Sequence, residues 1–437
     1  MNKMFYLLNI GVSGIKSIKK EVRLNFYKKT VDKDFVPDKY RIKAIYGENG
    51  SGKSALITAV KIFQDLIMND NYLAEMRNQT FLHEIINKAT HEFKFNCEYL
   101  VNMQTEKRVY YYGVELGLNN RGNFEVKHEI LKVKNGNYPN NKYKVVFESR
   151  EGELVQVSCA ENERELVEKR SLNLLSSNSF VLISFIIYSK IKNKKERDVE
   201  DFWVQILMFL SFALSLKIYI GEEDQHELYL MRRHLEENNL EDDVVPGGWK
   251  KLFSVNERLI NKNAFAKYQE RISQLTQFIK IFKPELVSID IDKKENGNQY
   301  ECDLNLNYGE YSINKEFEST GIKKLIRLFD CFTAASEGGI VFIDEMDSNL
   351  NDVYLCKLLE YFMYYGTGQL CFTTHNLDPM SVLKENKNSI DFLSSDNHLV
   401  SWTARGNASP ENCYKNGLIE DSPFNIDATD FVGIFGE

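Results

Sequence analysis

Tyr46-Gly47-Glu48-Asn49-Gly50-Ser51-Gly52-Lys53-Ser54 decides how this chain is read. The run meets every fixed position of the phosphate-binding loop pattern G-x-x-x-x-G-K-[ST], and its flanks suit it. Arg41 to Tyr46 is a short apolar segment that predicts a buried strand. After the loop, Leu56, Ile57, Ala59, Val60, Ile62, Phe63, Leu66 and Ile67 recur at helical spacing. Glycines let the backbone wrap so that consecutive N–H groups point at phosphate oxygens, and a helix N-terminus adds positive potential. Lys53 supplies charge for the outer phosphates, and Ser54 offers a hydroxyl to Mg²⁺. The loop as a whole, Gly47, Glu48, Asn49, Gly50, Ser51, Gly52, Lys53 and Ser54, is expected to cradle a nucleoside triphosphate.

The composition sets bounds on the rest. A chain of 437 residues has room for two or three domains, and its apolar and charged fractions of 43% and 27% are those of an ordinary globular protein. The net charge of −8 argues against a generally basic nucleic-acid coat. Local basic clusters remain at Lys16, Lys19, Lys20 and Arg23, and at Lys190, Lys192, Lys194, Lys195 and Arg197. The seven cysteines are scattered without a C-x-x-C pair, which disfavours a disulfide framework or a zinc site and fits a reducing cytoplasm. The N-terminus shows strand-like alternation in place of a secretory signal. Two apolar runs bear on a membrane role. Ser179 to Tyr188 is too short to span a bilayer, and Phe202 to Ile220 is interrupted by Gln205, Ser211, Ser215 and Lys217 in a pattern that suits a buried core helix.

Alternating segments at Tyr6–Val12, Glu21–Phe26, Phe93–Val101, Arg108–Leu116 and Phe124–Val133 predict an antiparallel β region around the loop. From about Val157 to Phe282 the pattern is helical, broken at Val245-Pro246-Gly247-Gly248. Strands resume at Glu285–Asp292, Gln299–Leu306 and Tyr311–Phe317. They are followed by a helix over Gly321–Ala335, a strand at Ile340–Ile343, a helix around Leu355–Tyr365 and a strand at Leu370–Thr374. The expected fold is α/β, with an N-terminal antiparallel β region, a mixed or parallel phosphate-loop sheet and an inserted helical region. The expected divisions are 1–150, 151–285 and 286–437.

Gly338-Gly339-Ile340-Val341-Phe342-Ile343-Asp344-Glu345 is an apolar strand ending in two carboxylates. Beside a phosphate loop, Asp344 can hold the hydration shell of Mg²⁺, and Glu345 is then placed to polarise an attacking water. With these residues in view, the chain resembles ABC-type P-loop ATPases of the SMC and OLD-like group. Within it, the chain is similar to bacterial AAA-annotated ATPases associated with phage defence or abortive infection.

The resemblance covers about 1–150 and 286–437 and implies further roles. His375, after Leu370-Cys371-Phe372-Thr373-Thr374, matches the switch histidine that senses the γ-phosphate. Glu318-Ser319-Thr320-Gly321 stands where such proteins carry a signature loop, so Ser319 and Gly321 would contact the nucleotide held by a partner subunit. Glu318 and Thr320 depart from the usual L-S-G-G-Q. Ser348-Asn349-Leu350-Asn351-Asp352 takes the place of the dimer-contact loop, with Asn351 where aspartate or histidine is commoner. The resemblance implies ATP and Mg²⁺ as cofactors, a homodimer or higher homo-oligomer closed around nucleotide, and a separately encoded effector protein. A DNA-acting ATPase of the repair or chromosome-maintenance type is the alternative. A transporter subunit is disfavoured by the long stretch between Lys53 and Ser319, and a fused nuclease by the short tail after His375.

Overall fold

The computed structural model describes residues 5–32, 35–37, 40–103, 106–191, 201–221, 254–386, 388–403, 408–420 and 422. The basic residues Lys192, Lys194, Lys195 and Arg197 and the Val245–Gly248 break lie outside them. In chain order the first strands are β1 (Phe5–Ser13), β2 (Val22–Asn25), β3 (Ile42–Tyr46), β4 (Glu92–Asn102), β5 (Lys107–Leu118) and β6 (Phe124–Asn135). Next come β7 (Lys144–Arg150), β8 (Glu153–Val157), β9 (Leu216–Tyr219), β10 (Leu259–Asn261), β11 (Ser288–Asn296) and β12 (Gln299–Asn307). The last are β13 (Ser312–Asn314), β14 (Ile340–Ile343), β15 (Gln369–Thr373), β16 (Ile390–Leu393) and β17 (Leu399–Ser401).

Three sheets result, and the fold is mixed α/β. An antiparallel sheet has the order β2-β1-β4-β5-β6-β7-β8, and a small one joins β10, β12, β11 and β13. The phosphate-loop sheet has the order β17-β16-β3-β15-β14-β9. Five of its strands run parallel, and β17 closes one edge antiparallel.

The central strands of this last sheet are buried on both faces, so they read as unbroken apolar runs. In β14 all four residues are buried, and they alternate between two cores. Ile340 and Phe342 face the helix Lys53–Met68 and the antiparallel sheet. Val341 and Ile343 face the helices Phe265–Phe282, Thr320–Ser336 and Asp352–Tyr364. The first core is rich in rings, with Phe63 of the loop helix stacked on Phe95 at 4.6 Å.

Two buried polar devices tie the loop strand in place. Lys43 of β3 donates to Asp391 of the neighbouring β16 at 2.7 Å, both side chains being almost wholly enclosed, and Ser401 donates to the other Asp391 oxygen at 2.5 Å. Burial lowers the Lys43 pKa against the pull of Asp391. Lys43→Met would strand a carboxylate in the core, so the expected loss of stability is about 3–5 kcal/mol by chemical denaturation. Lys43→Met combined with Asp391→Leu should recover much of it. Gln369, at the start of β15, spans the two large sheets: its side-chain oxygen accepts from Leu7 N at 2.8 Å and its amide donates to Leu7 O at 2.9 Å. These contacts satisfy a β1 residue at the point where pairing with β4 is irregular.

Three stretches between 151 and 285 differ from a purely helical reading, one of them β10, which pairs with β12. Glu153–Val157 is β8 of the antiparallel sheet. The apolar run from Phe202 stops being helical at Ser215, and Leu216–Tyr219 becomes β9, parallel to β14. A short apolar run does not distinguish a buried helix from a buried strand by periodicity, and here the open edge of β14 captures its last residues. Among the described residues no helix is long and apolar enough to cross a membrane.

Candidate nucleotide-hydrolysing site

The phosphate loop leaves the sheet at Tyr46, the buried end of β3. Gly47 must lack a side chain, since a Cβ there would lie 2.4 Å from the Leu393 carbonyl and 2.7 Å from Ser51 Oγ. Gly52 caps the following helix at φ 107°, a conformation that favours glycine. The first turn of that helix carries no acidic side chain, which leaves its positive end available to an anion. Lys53 is buried and folds back over the loop, its amine donating to Gly47 O at 2.8 Å and Glu48 O at 2.9 Å. Burial lowers its pKa, while the carboxylates of Asp344, Glu345, Asp347 and Glu48 push it back up. The phosphate loop and the acidic end of β14 therefore share one electrostatic site.

Asp344 and Glu345 follow β14 directly. A single hydroxyl organises both: Thr373 Oγ1 donates to Asp344 Oδ1 at 2.5 Å and accepts from Glu345 N at 2.8 Å. Thr373 O accepts from Met346 N at 3.0 Å, and Tyr219 O of β9 accepts from Asp344 N at 2.9 Å. Glu345 has a left-handed backbone, φ 47°, with its side chain exposed. A non-glycine residue held there costs of order 1 kcal/mol or more and persists only where its surroundings over-determine it. His375 lies two residues past the end of β15, at the same sheet end, and its N–H donates to Asp347 Oδ2 at 3.4 Å. Its ring is exposed.

The signature-like residues occupy a different place. Ser319 caps the helix Thr320–Ser336, its hydroxyl accepting from Ile322 N at 3.4 Å. Glu318 is buried, accepting from Tyr308 OH at 2.5 Å and from Ser319 N at 2.9 Å, so it braces the turn from below. Gly321 packs against the loop after β14, where a Cβ would sit 2.8 Å from Asn349 O. Asn351 caps the next helix, accepting from Val353 N at 3.0 Å. A cavity of about 330 Å³ between these elements is lined by Thr320, Lys323, Lys324, Asp344, Glu345 and Ser348 among others. Among the described residues no hydrogen bond joins Ser319 or Gly321 to Gly47–Ser54. Within one chain the structure thus gathers Lys53, Asp344 and Glu345, and sets Gly321 against Asn349 of the loop that follows them.

Over residues 42–378 the chain matches a family described as "AAA domain, putative AbiEii toxin, Type IV TA system". The chain belongs to this AAA family. It is an ATPase, with the family's match spanning both the phosphate loop and His375. No curated protein matches it. Solved structures similar to it include two titled as the recombination mediator protein RecF of the RecFOR pathway, one with ATP and one with ATPrS. Each is 14% identical with a TM-score of 0.35, covering 92% of this chain and 100% and 99% of theirs respectively.

In this AAA ATPase the structure adds three residues to the site, Asp347, Thr373 and Lys324. Asp347 was visible three positions after Asp344, but its contact with His375 N was not. Thr373 gave only a β-branched strand signal. Lys324 lies off the apolar stripe of Ile322, Leu325, Ile326 and Phe329, so nothing marked it as buried. Its amine nevertheless donates to Glu345 O at 2.5 Å and to Ser348 O and Oγ at 2.8 and 2.5 Å. Burial takes its pKa down to about 8, opposed by Asp347, Glu345 and Asp344.

Proposed function

We propose that this ATPase uses Mg²⁺-dependent hydrolysis of ATP to switch the assembly of a homodimer or larger homo-oligomer, and through it a separately encoded effector, in anti-phage defence. The observation that carries the reading is the shared field of Lys53 with Asp344 and Glu345, joined to an exposed signature-like turn that has no hydrogen bond to its own phosphate loop among the described residues. A serine-capped helix start facing outward suits a nucleotide held by a second copy. The family description, with its toxin and toxin–antitoxin terms, supports a defence setting, and an SMC- or OLD-like head formed by 1–150 and 286–437 is consistent with both.

In this reading the loop N–H groups and Lys53 hold the triphosphate. Ser54 and Asp344 offer a hydroxyl and a carboxylate, a hard-oxygen set that suits Mg²⁺ completed by water and phosphate oxygens. The ion, when bound, neutralises charge on the β- and γ-phosphates. Thr373 holds the Asp344 carboxylate in place. Glu345 accepts the proton of a water whose oxygen attacks the γ-phosphorus, and ADP leaves. His375 senses the γ-phosphate. Differential affinity of the closed assembly for ATP over ADP is what makes such a cycle a switch. A cytoplasmic location follows from the same reading.

Ser319→Arg tests the assembly directly. It should leave nucleotide binding to the single chain intact and abolish the increase in mass that ATP produces in solution. An unaltered ATP-dependent mass would remove Ser319 and Gly321 from the site. A DNA-acting ATPase is the second reading, favoured by the exposed Lys16, Lys19 and Lys20 beside the loop, where Ser17 Oγ donates to Gly50 O at 3.0 Å. Salt-dependent binding to duplex DNA would select it.

A further inference from the structure

The acidic turn is gripped from two sides, and only one of them is the sheet. On the β15 side, Thr373 fixes the N–H groups of Glu345 and Met346. On the other, the buried Lys324 amine sits inside the turn and places all three of its donors, on Glu345 O, Ser348 O and Ser348 Oγ. The peptide unit that follows Glu345 is therefore pinned at both ends, its carbonyl by Lys324 and its N–H by Thr373. That is how a left-handed residue is maintained at Glu345, whose side chain is exposed. Lys324 also rides on the signature helix, five positions beyond the Ser319 cap. Gly321 sets the depth of that helix by touching the Asn349 carbonyl, and Thr320 Oγ1 lies 3.5 Å from Asn349 Oδ1.

We infer that Lys324 is a positioning residue, which orients the Glu345 carboxylate through its backbone carbonyl and couples that orientation to the seating of the signature helix. Displacement of Ser319 by a nucleotide on a second copy would travel down about one and a half helical turns, roughly 7.5 Å, to the base that activates water. The inference rests on the reading of Glu345 as that base.

Lys324→Met keeps the length and removes the donors. Its kcat is expected to fall at least about tenfold, because small displacements of a reacting group cost that much or more. Nucleotide affinity measured by equilibrium binding should stay within about twofold, since Lys324 does not touch the phosphate loop. In a Glu345→Gln background the Lys324→Met change should lower the residual rate no further. A wild-type kcat in Lys324→Met overturns the inference, as does an additive loss in the double variant. Should Lys324→Met not fold, Lys324→Arg replaces it. The longer side chain keeps the charge but displaces the Glu345 carbonyl, so kcat must fall with affinity retained, and an unchanged kcat overturns the inference. Glu345→Gln run alongside separates the two claims. Full hydrolysis in that variant removes the base itself, whereas its loss together with an active Lys324→Met removes only the role of Lys324.

Discussion

Lys53→Ala is expected to lose ATP binding by on the order of a hundredfold or more, the size of effect that follows when one member of a desolvated charge pair is truncated. The amine is enclosed by the loop, and its two carbonyl contacts hold it at the loop mouth. Without it, the site keeps the carboxylates of Asp344, Glu345, Asp347 and Glu48 but loses the cation they surround. A triphosphate would then enter a field of its own sign. The fold should survive, because Lys53 bonds only to its own loop among the described contacts. Equilibrium titration with a nucleotide, beside a melting curve, checks both halves. Unchanged affinity would remove the phosphate-loop assignment.

Glu345→Gln is expected to cut hydrolysis by about 10²-fold or more, the usual worth of a positioned general base, with ATP affinity preserved. The substitution is unusually clean at this position. The contacts that Thr373 and Lys324 make to Glu345 itself are both to its backbone. Glutamine keeps those bonds and the left-handed φ, and removes the carboxylate charge together with the capacity to accept a proton. The variant should therefore accumulate the assembly that precedes hydrolysis, seen as a larger mass with ATP that persists for the length of the measurement. Turnover at the normal rate would remove Glu345 from the chemistry.

The parts of the site legible in the sequence are those whose chemistry is written locally. A phosphate loop needs glycines, a lysine and a hydroxyl within a few residues, between a strand and a helix, and that order survives in the primary structure. Ile340–Glu345 was legible for the same reason, an apolar run ending in charge. The mixed sheets follow from alternation and from short buried runs. What escaped was whatever acts across the chain. Thr373 is an ordinary strand residue until β15 pairs with β14 and brings its hydroxyl between two carboxyl-bearing neighbours. Lys324 reads as a surface lysine, since composition says nothing of which carbonyls a helix will meet. Leu216–Tyr219 reads as helix in the sequence because the partner that makes it a strand, Ile340–Ile343, lies far along the chain. Glu318 departs from the signature pattern, and the structure gives it a bracing role under the serine turn.

Gln369 makes β15 a push-rod. One end of the strand is hooked by a side-chain amide to Leu7 of β1, the second strand of the antiparallel layer. The other, about 13 Å away, ends in the hydroxyl that aligns both acids. A strand that short and that enclosed has little slack to absorb a tilt. A tilt of β1 would therefore be carried along β15 to the hydroxyl that holds the Asp344 carboxylate and the Glu345 N–H.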